Sequence, residues 1–303
     1  MDWRQVPGAP VYYVIGRSAV PDAGNEGFTA NAGFVVTDDG VVVYDTLGTP
    51  ALGYRMLLKI REVTDRPVKV VVAGHYHADH IYGLQAFREH TEAGILAHET
   101  AHDYFHSRTF LGGTEDAGRR LAQRRAALSA WVDEDTYIVP PDATFSGHHS
   151  FRLGGYRFEL IPRGPAHSPS DTVMIVHGAG VIFSGDLIYT GRVPFLDNPA
   201  VDTANWLAGL AFLESLEPAP EFVIPGHGRA FADPAAGVAF TRGYIEYLRD
   251  AMGEAARQFV DFDSAYARTD WSAYRDLPAF AETNRGNAFM VYLEMEAAML
   301  AGE

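Results

Sequence analysis

The chain has no cysteine among its 303 residues. That absence excludes disulfides, thiolate nucleophiles and cysteine-ligated zinc, so any metal must be held by histidines and carboxylates. Positive charge is scarce as well: 24 Lys and Arg stand against 39 Asp and Glu, for a formal charge of −15. Surfaces that grip a nucleic-acid backbone need clustered basic residues, so a nucleic-acid partner is not expected. A locally positive pocket built around metal ions remains compatible with that balance. No apolar run reaches the length of about 20 residues that spans a bilayer. The opening "MDWRQVPGAP" has no basic stretch followed by an apolar one. Neither a membrane partner nor a signal peptide is therefore expected, and the location read from the sequence is cytoplasmic.

The residues that are present, 47% hydrophobic and 21% charged, suit a globular protein large enough for a substantial core. Short β-rich runs predict strands at 11–16, 32–37 and 41–45, the last two joined by "DDG" as a hairpin. Thr49-Pro50 has the form of an N-cap and first helical position, opening a helix to about Glu62. "VKVVVA" (68–73) is a continuous apolar run, as in a strand covered on both faces. "GLQAFREH" and residues 98–131 read as helical, the latter an insertion. Further strands are predicted at 156–161, 172–177, 181–185 and 221–226, with a helix around 203–216 and helical pattern from Pro234 onward. Strands with interspersed helices predict a layered α/β fold. Its division is expected to be a catalytic domain over 1–232, with the helical insertion at about 98–131, and a helical extension over 233–303 packed on it.

Between the strand 68–73 and the next helix stands "GHYHADHIYG". In extended chain His75 and His77 point to the same side, because side chains alternate with period two. Asp79 and His80 lie where the chain turns into a helix. Imidazole nitrogens and carboxylate oxygens suit zinc and similar divalent ions, but one ion rarely takes four ligands from so short a segment. Two adjacent ions would use them naturally. The additional ligands are at hand in His167 ("GPAHSPSD"), Asp186 ("IFSGDLIYTG", after the strand 181–185) and His227 ("FVIPGHG", after the strand 221–225). Glycine and proline flank all three, as expected where backbone turns sharply near a site. A carboxylate such as Asp186 can bridge two cations, one oxygen to each.

His-x-His-x-Asp-His followed by a lone His, "SGD" and "PGHG" resembles the metallo-β-lactamase-fold hydrolases, from about residue 30 to 230. The resemblance implies a four-layer αββα sandwich. It also implies a first metal held by His75, His77 and His167, a second held by Asp79, His80 and His227, and Asp186 bridging. The ions would be two zincs, with iron or manganese as alternatives. Asp45 matches the early aspartate of the fold and would support a ligand rather than be one. "GDLIYTGRVPFLDN" is similar to sulfur-oxidation-associated and quinoprotein-associated zinc hydrolases. Tyr189 resembles the tyrosine of acyl-homoserine lactonases, and glyoxalase II-type thioesterases share the metal set. The chemistry implied is attack on a carbonyl of a small-molecule lactam, lactone or thioester by a metal-bridging hydroxide, whose pKa falls to about 7 on zinc. Asp79 would orient that nucleophile and relay a proton. Two alternatives stay open, a mono-iron oxygenase of the persulfide dioxygenase type and a non-catalytic binding protein on the same fold. A nuclease of this fold is disfavoured by the acidic balance.

Other residues carry two readings each. Tyr189 either donates to a substrate oxygen or packs at the pocket rim. Arg192 either binds a substrate carboxylate or makes a structural salt bridge. His98, His102 and His106, four apart, are expected on a solvated or packed helix face. His148 and His149 are expected in a loop, and His177 as a satisfied core or edge histidine. The terminal "VYLEMEAAML" stripe is expected to pack in the core or against a second copy in a homodimer.

Overall fold

The structure is a computed structural model and describes residues 1–101, 117–196, 198 and 200–302. Two sheets stack face to face. The first has seven strands in the order β1 (Trp3–Gln5), β2 (Val11–Val14), β3 (Ala32–Val36), β4 (Val41–Tyr44), β5 (Val68–Ala73), β6 (Gly94–His98) and β7 (Ala143–Phe145). Pairing is antiparallel from β1 to β4, including the expected hairpin, and parallel from β4 to β7. The second sheet is ordered β12 (Phe222–His227), β11 (Val181–Tyr189), β10 (Thr172–His177), β9 (Tyr156–Pro162), β8 (His149–Leu153). There only β11 and β12 run parallel.

The alternation of side chains along each strand assigns them to separate cores. In β4, Val42 and Tyr44 point between the sheets, where they meet Phe158, Met174 and Phe183. Val41 and Val43 point outward against Leu52, Met56, Leu57 and Ile60 of α1 (Pro50–Val63). Thr49 caps α1 by accepting from the Leu52 amide, with proline at the first helical position as expected. The short α2 (Ala78–Ile81) and α3 (Leu84–His90) lie on the same outer face. On the far side, Val173, Ile182 and Val223 of the second sheet are covered by α5 (Thr203–Glu214), α6 (Pro234–Arg257) and α8 (Phe280–Ala301). The layers are thus α, β, β, α, as anticipated. α4 (Ala117–Ala127) and α7 (Phe262–Arg268) complete the described helices. None of them is long and apolar enough to cross a membrane. The stripe in α8 packs Val291 and Tyr292 into the outer core, while Phe289 and Leu293 are exposed.

The helical reading of 98–131 needs correction. His98 closes strand β6, whose Ile95 and Ala97 enter the first core, and 128–131 are turn. Burial against β5 overrides the helical preference of the neighbouring alanines. His102 and His106 lie outside the described residues, so their expected helix face does too. His149 begins β8 and stacks on Phe145, with His148 alone in the preceding turn. His177 ends β10 and pairs with Glu159 at 2.6 Å, a satisfied histidine.

Candidate metal centre

The site forms where strands of both sheets end on one rim. After β4 the chain turns through Asp45 and Leu47, both in the left-handed region at φ 57° and 71°. Such strain persists only when its surroundings enforce it. Here the Asp45 carboxylate accepts from the Gly74 amide at 2.7 Å with one oxygen and pairs with His80 Nδ1 at 2.7 Å with the other. His77 then caps α2, which carries Asp79 and His80 on its first turn.

Asp186 and His227 are not in loops after their strands, as the sequence suggested, but inside β11 and at the end of β12. β11 is irregular between Phe183 and Tyr189, and Gly185 sits at φ +53°, which re-aims Asp186 toward the rim. Beside it Gly226 has no alternative, since a Cβ there would run into Asp186 Oδ1.

All seven side chains read from the motifs converge. His75 Nε2 lies 3.0 Å from His77 Nδ1, which lies 2.8 Å from His167 Nε2. His167 Nε2 is in turn 3.2 Å from Asp186 Oδ2. These four groups offer atoms all within 4.8 Å of one another, and so do Asp79, His80 and His227. Asp186 joins the two sets: Oδ1 is 3.1 Å from His80 Nε2, and Oδ2 is 3.2 Å from His227 Nε2. A third grouping, Asp45 with His75 and His80, is not an independent site, because both oxygens of Asp45 are already engaged.

The outer nitrogens explain why the inner ones face inward. His167 Nδ1 donates to Phe195 O at 2.9 Å, His227 Nδ1 to Thr29 O at 2.8 Å, and His80 Nδ1 to Asp45. Each such bond leaves the Nε2 lone pair directed into the site. Burial, followed by the positive neighbours around it, pushes His75 and His77 well below the ordinary imidazole range. Burial likewise takes His167 down to about 4, so these rings are neutral. His80 goes the other way. Burial would lower it, but Asp186 and Asp45 hold it well above its usual value, because that carboxylate pair draws positive charge. Burial also works against the ionised forms of Asp79 and Asp186, yet the surrounding histidines hold both below the carboxylate range.

Ionised carboxylates, the neutral rings of His75, His77 and His167, and buried donor atoms crowded against one another, among them His80 Nε2 and Asp186 Oδ1 at 3.1 Å, make a donor set that fits divalent cations. A cavity of about 120 Å³ opens onto this set, lined by His77, Asp79, His167, Asp186, Tyr189 and His227. Asp79, 15% exposed, is the most open of the seven toward it. Tyr189 is buried, stacks on the His227 ring at 4.8 Å and donates its hydroxyl to Asp186 Oδ2. Burial, then the charge of Asp186, raises its phenol well above the ordinary value, so it remains a donor. Arg192 is buried in the cavity wall, and no carboxylate among the described residues pairs with it.

Three supports escaped the sequence reading. Asn31 holds the end of β12 by donating to the carbonyls of Pro225 and Gly228. Asn287 of α8 binds Pro194 O and the Leu196 amide, fixing the turn whose Phe195 carbonyl orients His167. Arg120 and Arg124 of α4 line the cavity. Isolated asparagines leave no pattern in one sequence, whereas the arginines do: "AGRRLAQRRAA" is a helix with no acidic residue in an acidic chain.

Comparison with known proteins agrees with this geometry. Residues 25–227, more than half of the chain, match the family model of the metallo-beta-lactamase superfamily. A linear primary-alkylsulfatase of Pseudomonas sp. (strain ATCC 19151) is 25% identical over 249 residues, covering 73% of this chain and 45% of that protein. The probable metallo-hydrolase YqgX of Bacillus subtilis (strain 168) is 23% identical over 230 residues, covering 75% and 90%. The solved stereoselective inverting sec-alkylsulfatase of Pseudomonas sp. superposes with a TM-score of 0.70 at 17% identity, over 96% of this chain and 50% of that one. The chain spans about half the length of the alkylsulfatases it matches. With its two sheets, helical flanks and converging His/Asp cluster, the chain belongs to the metallo-beta-lactamase superfamily.

Proposed function

We propose that the chain is a dinuclear zinc hydrolase that attacks the carbonyl carbon of a lactam, lactone or thioester and breaks its acyl C–N, C–O or C–S bond. His75, His77 and His167 would hold one ion, Asp79, His80 and His227 the other, and Asp186 both. The observation that supports this most is the placement of Asp186 between the two histidine sets, with Oδ2 3.2 Å from both His167 and His227 Nε2 and Oδ1 3.1 Å from His80 Nε2. When bound, two such cations supply hydroxide at neutral pH, by lowering the pKa of water to about 7, and polarise the bond under attack.

The remaining work belongs to the chain. Asp79, ionised and open to the cavity, accepts a hydrogen bond from the attacking water and passes its proton toward the leaving group. Thr29 donates to Asp79 Oδ2 at 3.3 Å and limits its rotation. Tyr189 keeps its proton, lines the cavity and donates to Asp186 Oδ2, and it would reach the oxygen on which charge develops only by exchanging that bond. Asp45 holds His80 in one tautomer.

The test is metal analysis of the purified chain with turnover assays on β-lactams, acyl-homoserine lactones and glutathione thioesters. Two zinc ions per chain and hydrolysis of one class without oxygen uptake are expected. One iron per chain with oxygen consumption would instead identify a persulfide dioxygenase-type oxygenase and end the hydrolase reading.

A further inference from the structure

α8 is apolar on two faces. Its inner face buries Asn287, Ala288, Val291 and Tyr292. The opposite face carries Gly286, Phe289, Leu293, Ala297 and Leu300, whose spacing of three or four residues keeps them in one line along the helix. Phe289 is 42% exposed, Leu293 39% and Leu300 76%. Eight large apolar side chains are exposed among the described residues, and these three are joined by a fourth, Phe259. Phe259 sits on the loop that Tyr292 ties to α8 by donating to Val260 O at 3.1 Å. Half of the exposed large apolar groups thus gather on one helix and its neighbouring loop, which marks a contact surface.

What covers it is indicated by the stripe itself. The steps between its residues are three, four, four and three, so the stripe reads the same in either direction about Leu293. Residue sizes are complementary under that reversal: Gly286 answers Leu300, and Phe289 answers Ala297. Beside Gly286 lies a hollow of about 450 Å³, lined by Phe262, Asp263, Arg285, Gly286 and Phe289. Leu300, about four turns and about 21 Å further along the helix, is the projecting side chain that such a hollow fits. The five residues of the stripe are uncharged. Two chains of formal charge −15 repel one another, so an uncharged strip suits contact between copies better than a charged one.

We infer that the outer face of α8 is the contact of a homodimer, in which two copies of the helix pack antiparallel across a two-fold axis at Leu293. Each Leu300 enters the hollow beside the other copy's Gly286, each Phe289 lies over Ala297, and Leu293 meets itself, as a self-complementary patch requires. The inner face of the same helix holds, through Asn287, the turn whose Phe195 carbonyl orients His167. Pairing therefore braces the helix that braces the metal centre.

The experiment is sedimentation equilibrium of the full chain at tens of micromolar. The wild type should give twice the mass of the 33.2-kDa chain, and L293E and L293K should each sediment as single chains. Both substitutions fall on a side chain already partly in water, so circular dichroism should match the wild type. Mixed in equal amounts, the two variants should pair again, because opposite charges then face each other across the axis. Added salt should strengthen the wild-type association, by screening the repulsion of two acidic chains, and weaken the mixed pair. L293C tests the geometry independently and decides alone should L293E not fold. The chain has no other cysteine, so oxidised glutathione should link L293C into a covalent dimer. Y137C, exposed beside Glu89 on the opposite layer, should stay unlinked. A wild type that sediments as a single chain, a dimer that L293E leaves intact, variants that fail to pair when mixed, or an L293C chain that does not link overturns the inference. None of these results bears on the hydrolase reading, which is decided by metal content and turnover.

Discussion

The two walls of the cavity are built on opposite terms. On one side the seven inward-facing groups are almost wholly buried, and His80, His167 and His227 are each held from behind by a fixed acceptor. On the other, Arg120 and Arg124 are half-buried on α4, with Arg124 facing Asp79 Oδ1 at 3.9 Å. The first wall has one geometry that works, so its supports reach from strand ends into the backbone and as far as α8. The second rests on one surface helix. Rigid support is expected where positioning errors of an ångström are costly for reaction.

Substitutions sharpen that contrast by reaching progressively further from the centre. Asp186→Ala removes the group shared by both histidine sets, so metal content by mass spectrometry should collapse and turnover should fall to background. Asp45→Asn leaves every inward-facing atom in place but cannot hold His80 by the same charged pair. Metal affinity, read by chelator competition, should fall by about 10- to 100-fold. Asn287→Ala is more distant. It orphans the Leu196 amide and the Pro194 carbonyl, should cost roughly 1–3 kcal/mol in denaturant unfolding, and should lower kcat through His167 without loss of both ions.

The smallest expected effect is in pH dependence. Burial pushes Asp171 up to about 7, in spite of the bonds it accepts from the Ser168 amide and hydroxyl. Its folded-state value is thus above its unfolded one. The native state keeps a proton that the unfolded chain releases, and that contribution is complete below about pH 4 and lost as pH rises through 7. In the metal-free chain the depressed His75, His77 and His167 give a slope of the opposite sign, so the measure is a difference: the stability of Asp171→Asn relative to wild type should rise between about pH 4 and 7. A difference that stays flat or falls over that range would show that Asp171 is ionised in the native state.

Much of the centre is legible without coordinates because ligand chemistry is concentrated. Two histidines at period two, a carboxylate and a third histidine, placed after an apolar strand, are an unusual concentration of polar groups at a buried strand end. His167, Asp186 and His227 share the mark of flanking glycine or proline. Regular elements with strong periodicity, such as α1 and β5, follow from local pattern and capping. The edge strands β1, β7 and β8 were not anticipated: they are short and half-exposed, and lack that contrast. β6 was missed for another reason: between Gly94 and His98 it has only three apolar residues, too short a run to stand out until β5 pairs with it.

By itself, then, the sequence determined the donor chemistry, histidine and carboxylate with no thiol, and the segments that present it. Short-range spacing and side-chain type suffice for that. Only the tertiary structure decided that residues from both sheets meet on one rim, that Asp186 turns inward from within a strand, and that an inserted helix brings arginines over the opening. Those outcomes depend on which surfaces are buried against which, and burial joins positions far apart along the chain that no local pattern relates.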